Sequence, residues 1–113
     1  MRANHGVITV TLDGADYELR PTLKACRKIN AKFGGLRGAL ESLHNLDFDA
    51  IAFIVSAGAE INSKQAMEDV AEAVYSDIAA ATEQVIPFIE ALFDPTGKNA
   101  KDEPAKKSRA KEA

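Results

Sequence analysis

Cysteine is nearly missing from this sequence of 113 residues, since Cys26 is the only one. A single cysteine excludes a disulfide within the chain, which fits a reducing compartment. Long apolar runs are missing as well. The longest, AIAFIV at residues 50–55, is far shorter than the roughly 18 residues of a membrane helix. The N-terminus, MRANHGVITV, has no apolar segment typical of a secretory signal. We therefore expect a cytoplasmic protein without a membrane partner.

Basic residues are scarce in the middle of the chain. Residues 39–94 hold one Lys and eleven Asp or Glu, which gives this block a charge of −10. Residues 1–38 carry +4 and residues 95–113 carry +3, so the net charge is −3. A strongly acidic middle argues against nucleic-acid binding. It is typical of a solvated helix face, of a protein that meets a basic partner, or of copies arranged basic end to acidic end.

Residues suited to catalysis or metal binding form no recognisable motif. His5 and His44 are far apart, and neither has the spacing of metal ligands. Glu41 and His44 are three residues apart, which is typical of a surface pair. The FGGLRG segment at 33–38 lacks the Gly-Lys-Ser/Thr ending of a phosphate-binding loop. Cys26 falls on an apolar stripe, as a small core residue does. We predict no enzyme activity, no cofactor and no metal.

The N-terminal segment predicts a β-hairpin. Residues 7–12 are rich in β-branched side chains, and the Asp-Gly pair at 13–14 is a strong turn signal. Residues 15–16 are expected to lengthen the loop before a return strand at 17–20. One face of the hairpin is expected to be apolar, formed by Ile8, Val10, Leu12, Tyr17 and Leu19.

The first helix is predicted to begin at Pro21-Thr22 and to end at Gly34-Gly35. Its predicted apolar stripe consists of Leu23, Cys26, Ile29 and Phe33. A second stripe is basic and consists of Lys24, Arg27, Lys28 and Lys32. This basic stripe is either a solvated face or a partner-binding surface.

The sequence that follows, up to residue 93, predicts further helices. A short one covers residues 36–43, and Asp47 or Asp49 caps the next. Asn62-Ser63 then begins a new helical pattern. Pro87 is expected to kink or break the chain, so residues 63–93 form two helices or one bent helix. The predicted core comprises Ile8, Val10, Leu19, Leu23, Ile29, Phe33, Ile51, Ile54, Val55, Val70, Val74, Val85, Ile89 and Leu92.

These patterns predict an α+β fold, in which a hairpin precedes a bundle of about four helices. Residues 1–94 are expected to form a single domain. Residues 95–113 contain no Val, Ile, Leu or aromatic residue. Such a composition cannot bury enough apolar surface to offset ordering entropy, so this segment is predicted to be a flexible charged tail.

The segment GVITVTLDGADYELRPTLKACRKI at 6–29 resembles the start of the small tail assembly chaperones of gene transfer agents and siphophages. Members of that family open with a Gly-led strand, an Asp-Gly turn, a Tyr-x-Leu-Arg strand and a Thr-Leu helix start. The last three elements correspond here to residues 13–14, 17–20 and 22–23.

The later stretches MEDVAEAVYSDI at 67–78 and VIPFIEALF at 85–93 are similar to the closing helices of the family, so the resemblance covers about residues 5–93. It implies a non-enzymatic protein of the bacterial host's cytoplasm, which binds the tape measure protein during tail assembly. The family is also labelled as a tail tube component, which would place the protein inside the particle. Family members commonly have an acidic or Ala-rich first helix, whereas this one is basic.

Two other classes remain open on the sequence. A small prophage regulator is one, because the helices predicted at 47–58 and 63–74 flank a short break, as in a helix-turn-helix. Those helices hold one Lys and many carboxylates, which repel DNA. A small enzyme subunit is the other, although no set of residues supports it.

We predict that the protein self-associates in a concentration-dependent manner. Basic and acidic blocks lie on one chain, and a two-stranded hairpin has free edges. Because charged contacts weaken as salt screens them, association should decrease at high ionic strength. Analytical ultracentrifugation at low and high salt measures this. A strict monomer at high concentration in both salts would contradict it.

Overall fold

The computed structural model describes residues 6–93. Strands β1 (Ile8–Leu12) and β2 (Ala15–Leu19) form an antiparallel hairpin. Five helices follow within the described residues: α1 (Leu23–Phe33), α2 (Leu36–His44), α3 (Phe48–Ala59), α4 (Lys64–Ser76) and α5 (Ile78–Phe93). The predicted α+β class is confirmed, with five helices where about four were expected. The predictions for residues 1–5 and for the tail at 95–113 lie outside the described residues.

None of the helices described between residues 6 and 93 is both long enough and apolar enough to cross a membrane.

The hairpin turn is tighter than the sequence suggested. Leu12 pairs directly with Ala15, so the loop contains only Asp13 and Gly14. Their φ angles are 51° and 82°. Positive φ at both central residues gives a turn whose twist matches that of the two strands. The expectation that Ala15 and Asp16 lengthen the loop is therefore wrong, because the Asp-Gly pair completes the turn by itself.

The predicted apolar face of the hairpin packs on the helices. β1 packs against α5, and β2 packs against α3. Val10 and Leu19 are fully buried, while Ile8 and Tyr17 are partly buried. A lone two-stranded hairpin is marginally stable in water, so this packing is what stabilises it.

Helix α1 has the predicted caps but a different buried face. Thr22 Oγ1 accepts a hydrogen bond from the Ala25 amide at 3.1 Å. Gly34, with φ of 71°, ends the helix in the left-handed conformation. Leu23, however, is 66% exposed, whereas Ala25 and Ile29 are buried. The buried face centres on this i, i+4 pair, and Leu23 falls on another side of the helix.

Helix α3 lies at the centre of the domain. Asp47 caps it, accepting a hydrogen bond from the Ala50 amide at 3.2 Å, as one of the two predicted alternatives. Every residue from 50 to 58 is buried except Phe53, which is partly buried. The helix packs against α1, α2, α4, α5 and β2.

The division between the last two helices lies at Asp77. Ser63 caps α4 as predicted, and α4 ends at Ser76. Asp77 Oδ1 accepts a hydrogen bond from the Ala80 amide at 3.2 Å, at the start of α5. Of the kink or break expected at Pro87, the break is wrong, because α5 continues through the proline, and the two helices divide at Asp77 instead. Val85 and Phe88 are buried on either side of this proline, so packing maintains the helix there.

Most of the predicted core is buried. Leu23 is exposed, and Ile8 and Phe33 are only partly buried. Phe88 was not predicted, yet it is the largest of the fully buried side chains.

Gly58 is the point where α3 meets both β2 and α5. A Cβ atom at this residue would lie 2.8 Å from Phe88 Cζ and 3.0 Å from Leu19 Cβ. The Gly58 carbonyl also accepts a hydrogen bond from the Arg20 amide at 3.0 Å. The absence of a side chain therefore allows the hairpin and α5 to approach α3 closely.

We predict that Gly58→Ala destabilises the protein. Gly to Ala in a helix ordinarily stabilises by about 0.5–1 kcal/mol, but overpacking this contact should cost about 1–3 kcal/mol. Urea denaturation measures the difference. Phe88→Leu shortens the side chain that the new methyl group would meet, so the double variant should lose less than the sum of the two single losses. Additive losses, or a stable Gly58→Ala variant, would contradict the tight contact.

Gln84 on α5 joins the last helix to the first strand. Its Oε1 accepts a hydrogen bond from the Thr11 amide at 2.8 Å, and its Nε2 donates to the Thr11 carbonyl at 2.9 Å. The side-chain amide thus satisfies both backbone groups that β2 leaves unpaired at Thr11. The edge of β1 is consequently not free at this residue, contrary to the expectation of open hairpin edges.

We predict that Gln84→Ala lowers the free energy of unfolding by about 1–2 kcal/mol, since two hydrogen bonds are lost together. Glu83→Ala is the matched control, because Glu83 is the neighbouring residue and is exposed. The control should stay within about 0.5 kcal/mol of wild type. Equal stabilities of the two variants in urea would show that the Gln84 contact contributes nothing.

Candidate functional site

Two residues of the predicted basic stripe on α1 contact neighbouring parts of the domain. Lys28 Nζ donates a hydrogen bond to Asn62 Oδ1 at 3.3 Å, and Lys32 Nζ lies 5.5 Å from the centre of the Phe53 ring. Lys24 and Arg27 are exposed and lie outside this contact region. Of the four residues, Lys28 and Lys32 line the space beside α3, and Lys24 and Arg27 do not.

Lys28 and Lys32 border a groove that follows α3 between α1 and α4. One part of it has a volume of about 490 Å³ and is lined by Lys28, Lys32, Phe53, Ile61 and Met67, among others. The adjoining part has about 470 Å³ and shares Lys32, Phe53 and Met67 with the first. A third part, of about 370 Å³, shares Asp49, Glu68 and Ala71 with the second. We call this continuous depression the α1–α3–α4 groove.

The floor of the groove is apolar. Phe53 and Met67 are partly buried and lie at its centre. The Phe53 ring packs edge-on against Phe33, with ring centres 5.9 Å apart. At the far end, Phe48 and Tyr75 lie with ring centres 5.4 Å apart, and Tyr75 is 67% exposed. A partner side chain entering this groove would therefore meet aromatic and aliphatic surface.

The two ends of the groove carry opposite charge. The lysine end is formed by Lys28, and by Lys32 on the side that adjoins the central Phe53. The acidic end is formed by Asp49 in the first turn of α3, together with Glu68 and Glu72 on α4. In the part of the chain that the structure describes, one ion pair is present, between Arg20 and Glu18, outside the groove. The charges of both ends are thus available to a partner.

The described residues that line the groove do not include a metal-binding set. Within residues 6–93, no group of three or more His, Cys, Asp and Glu side chains is placed to hold a metal ion. Cys26 is partly buried and is not among the residues that line the groove. The arrangement is suited to binding a polypeptide through apolar and charged contacts.

Sequence reasoning found one half of this site and missed the other. The lysines share a stripe on a single helix, so helical spacing was enough to find them. Phe53 gave a weaker signal, because it falls off the buried stripe of Ile51, Ile54 and Val55 in an otherwise apolar run. The acidic end combines residues of two helices, and only their packing brings these together.

Comparison of the chain with models of protein families, with curated proteins and with solved structures gives no match. The resemblance of residues 5–93 to tail assembly chaperones therefore stays a prediction. The geometry of the groove is the physical basis on which a function can be proposed.

Proposed function

We propose that this protein is a non-enzymatic tail assembly chaperone of a phage or gene transfer agent, which binds the tape measure protein while the tail is built. The observation that supports this best is the α1–α3–α4 groove, with its apolar floor and charged ends. Helix α3 has 12 residues, so the groove along it is about 18 Å long. That length matches about three turns of a partner helix.

The groove offers the contacts that helix-in-groove recognition uses. An amphipathic helix presents apolar anchors at i, i+3 or i+4, and i+7 to such a surface. Phe53 and Met67 lie where the central anchors would pack, and Phe48 lies near one end. The resemblance implies a tape measure protein that is long, helical and prone to aggregation. Such a partner repeats suitable faces along its length.

Weak binding at each groove is compatible with this function. A single short groove gives modest affinity, but copies that also contact one another gain by effective concentration. The expected self-association would supply that gain. Copies could then leave as the tail tube closes around the tape measure protein.

The alternatives differ in what they require. A tail tube component would remain in the finished particle, whereas a chaperone would not. A DNA-binding regulator would require an accessible recognition helix, but α3 is buried over residues 50–58 apart from Phe53. The following helix carries Glu68, Asp69 and Glu72 on exposed positions, which phosphates repel.

We predict that Met67→Glu weakens binding of the tape measure protein, because it places a carboxylate on the apolar floor. Leu23→Glu is the matched control, since it makes a similar apolar-to-charged change at a leucine that is 66% exposed and outside the groove. Co-expression with the tape measure protein measures how much of that protein remains soluble and co-purifies. The affinity should fall at least about tenfold for Met67→Glu, about 1.4 kcal/mol, and little for Leu23→Glu.

The result would contradict the proposal if folded Met67→Glu retained the tape measure protein as wild type does. Circular dichroism of both variants establishes that they are folded. Mass spectrometry of purified particles then separates the two particle-related functions, since a chaperone is absent from them and a tail tube component is abundant.

A further inference from the structure

The acidic end and the lysine end of the groove lie at opposite ends of α3. The acidic end lies where α3 begins, near Asp49, and the lysine end lies where α3 finishes, near Ala57 and Ile61. A helix lying in the groove would therefore have one end against carboxylates and the other against ammonium groups.

The two helices that form the walls of the groove, α1 and α4, run in the same direction. On α4, Met67 lies near the C-terminal end of α3, and Tyr75 lies near the N-terminal end of α3. Helix α4 is therefore antiparallel to α3. The α1 side runs the same way, from Lys28 to Phe33. The C-terminal parts of both walls, which carry partial negative charge, therefore lie toward the acidic end. The dipoles of these two helices thus act in the same direction as the charged side chains, whereas the dipole of α3, which begins at the acidic end, is opposed to them.

We propose that the groove accepts a guest helix in one orientation, with the guest's N-terminus at the acidic end and its C-terminus at the lysine end. The proposal rests on the proposed function, because it assumes that the groove binds a helix. The free amide groups of the guest's first turn then face Asp49, Glu68 and Glu72, and the carbonyls of its last turn face Lys28 and Lys32. The guest lies parallel to α3 and antiparallel to both walls.

The acidic end also selects a side chain of the guest. Phe48 and Tyr75 stand beside Asp49, Glu68 and Glu72, a combination of aromatic rings and carboxylates that favours a cation. A guest with Lys or Arg in its first turn and Asp or Glu in its last turn fits both ends. This order is the reverse of the one that stabilises a free helix. The preferred guest is therefore poorly helical alone and becomes helical in the groove.

Two synthetic peptides with the same composition test the orientation on the full chain. Both have capped termini and the same apolar stripe over about three turns, the length available along α3. The first peptide has two Lys in its first turn and two Glu in its last turn, and the second has these charges exchanged. Titration calorimetry at low salt should show the first binding at least about fivefold more tightly, because the second can make the same four charge contacts only when reversed, with its helix dipole opposed to the charges at both ends of the groove. The difference should shrink at high salt.

A pair of charge reversals in the protein links the preference to the acidic end. Glu68→Lys with Glu72→Lys should abolish or reverse the preference between the peptides. Glu83→Lys with Glu90→Lys, at exposed positions of α5 outside the groove, makes the same charge change and should preserve it. Equal binding of the two peptides to wild type, or tighter binding of the second, would overturn the orientation and leave the proposed function standing. Failure of both peptides to bind would overturn the helix-binding groove and the orientation together.

Discussion

The close approach at Gly58 determines how the other elements are arranged. The ring of Phe88 and the Cβ atom of Leu19 on β2 both occupy the space that a side chain at this residue would need. The hairpin and α5 are therefore held on one side of α3. With 100° per residue, Phe53 lies about 140° around the helix from Gly58. The packing at Gly58 thus leaves Phe53 on the side that forms the floor of the groove.

Local chemistry made much of the fold predictable from the sequence. The Asp13-Gly14 turn, the caps at Thr22, Asp47 and Ser63, and the left-handed Gly34 each depend on a few neighbouring residues. Such signals act the same way in many folds, so they can be read without knowing the tertiary structure.

Apart from the length of the hairpin loop, the errors concern features that depend on distant residues. Leu23 satisfies the spacing of an apolar stripe, but α1 turns Ala25 and Ile29 toward the core. Pro87 would end an isolated helix, yet buried neighbours on both sides maintain α5 through it. The two ends of the groove differ in the same way, since one depends on a single helix and the other on tertiary packing. Its lysines share one helix and were predicted, whereas its acidic end exists only because α3 and α4 pack together.

The contact between Gln84 and Thr11 has a consequence for how the protein is made. These residues are 73 positions apart in the chain, so the hairpin leaves the ribosome long before the helix that secures it. At about 5–20 residues per second, the delay is several seconds. During that time the apolar side chains of Val10, Leu12 and Leu19 lack their final neighbours. Strand β1 is thus synthesised early, yet it can reach its native contacts with α5 only after the last described helix has left the ribosome.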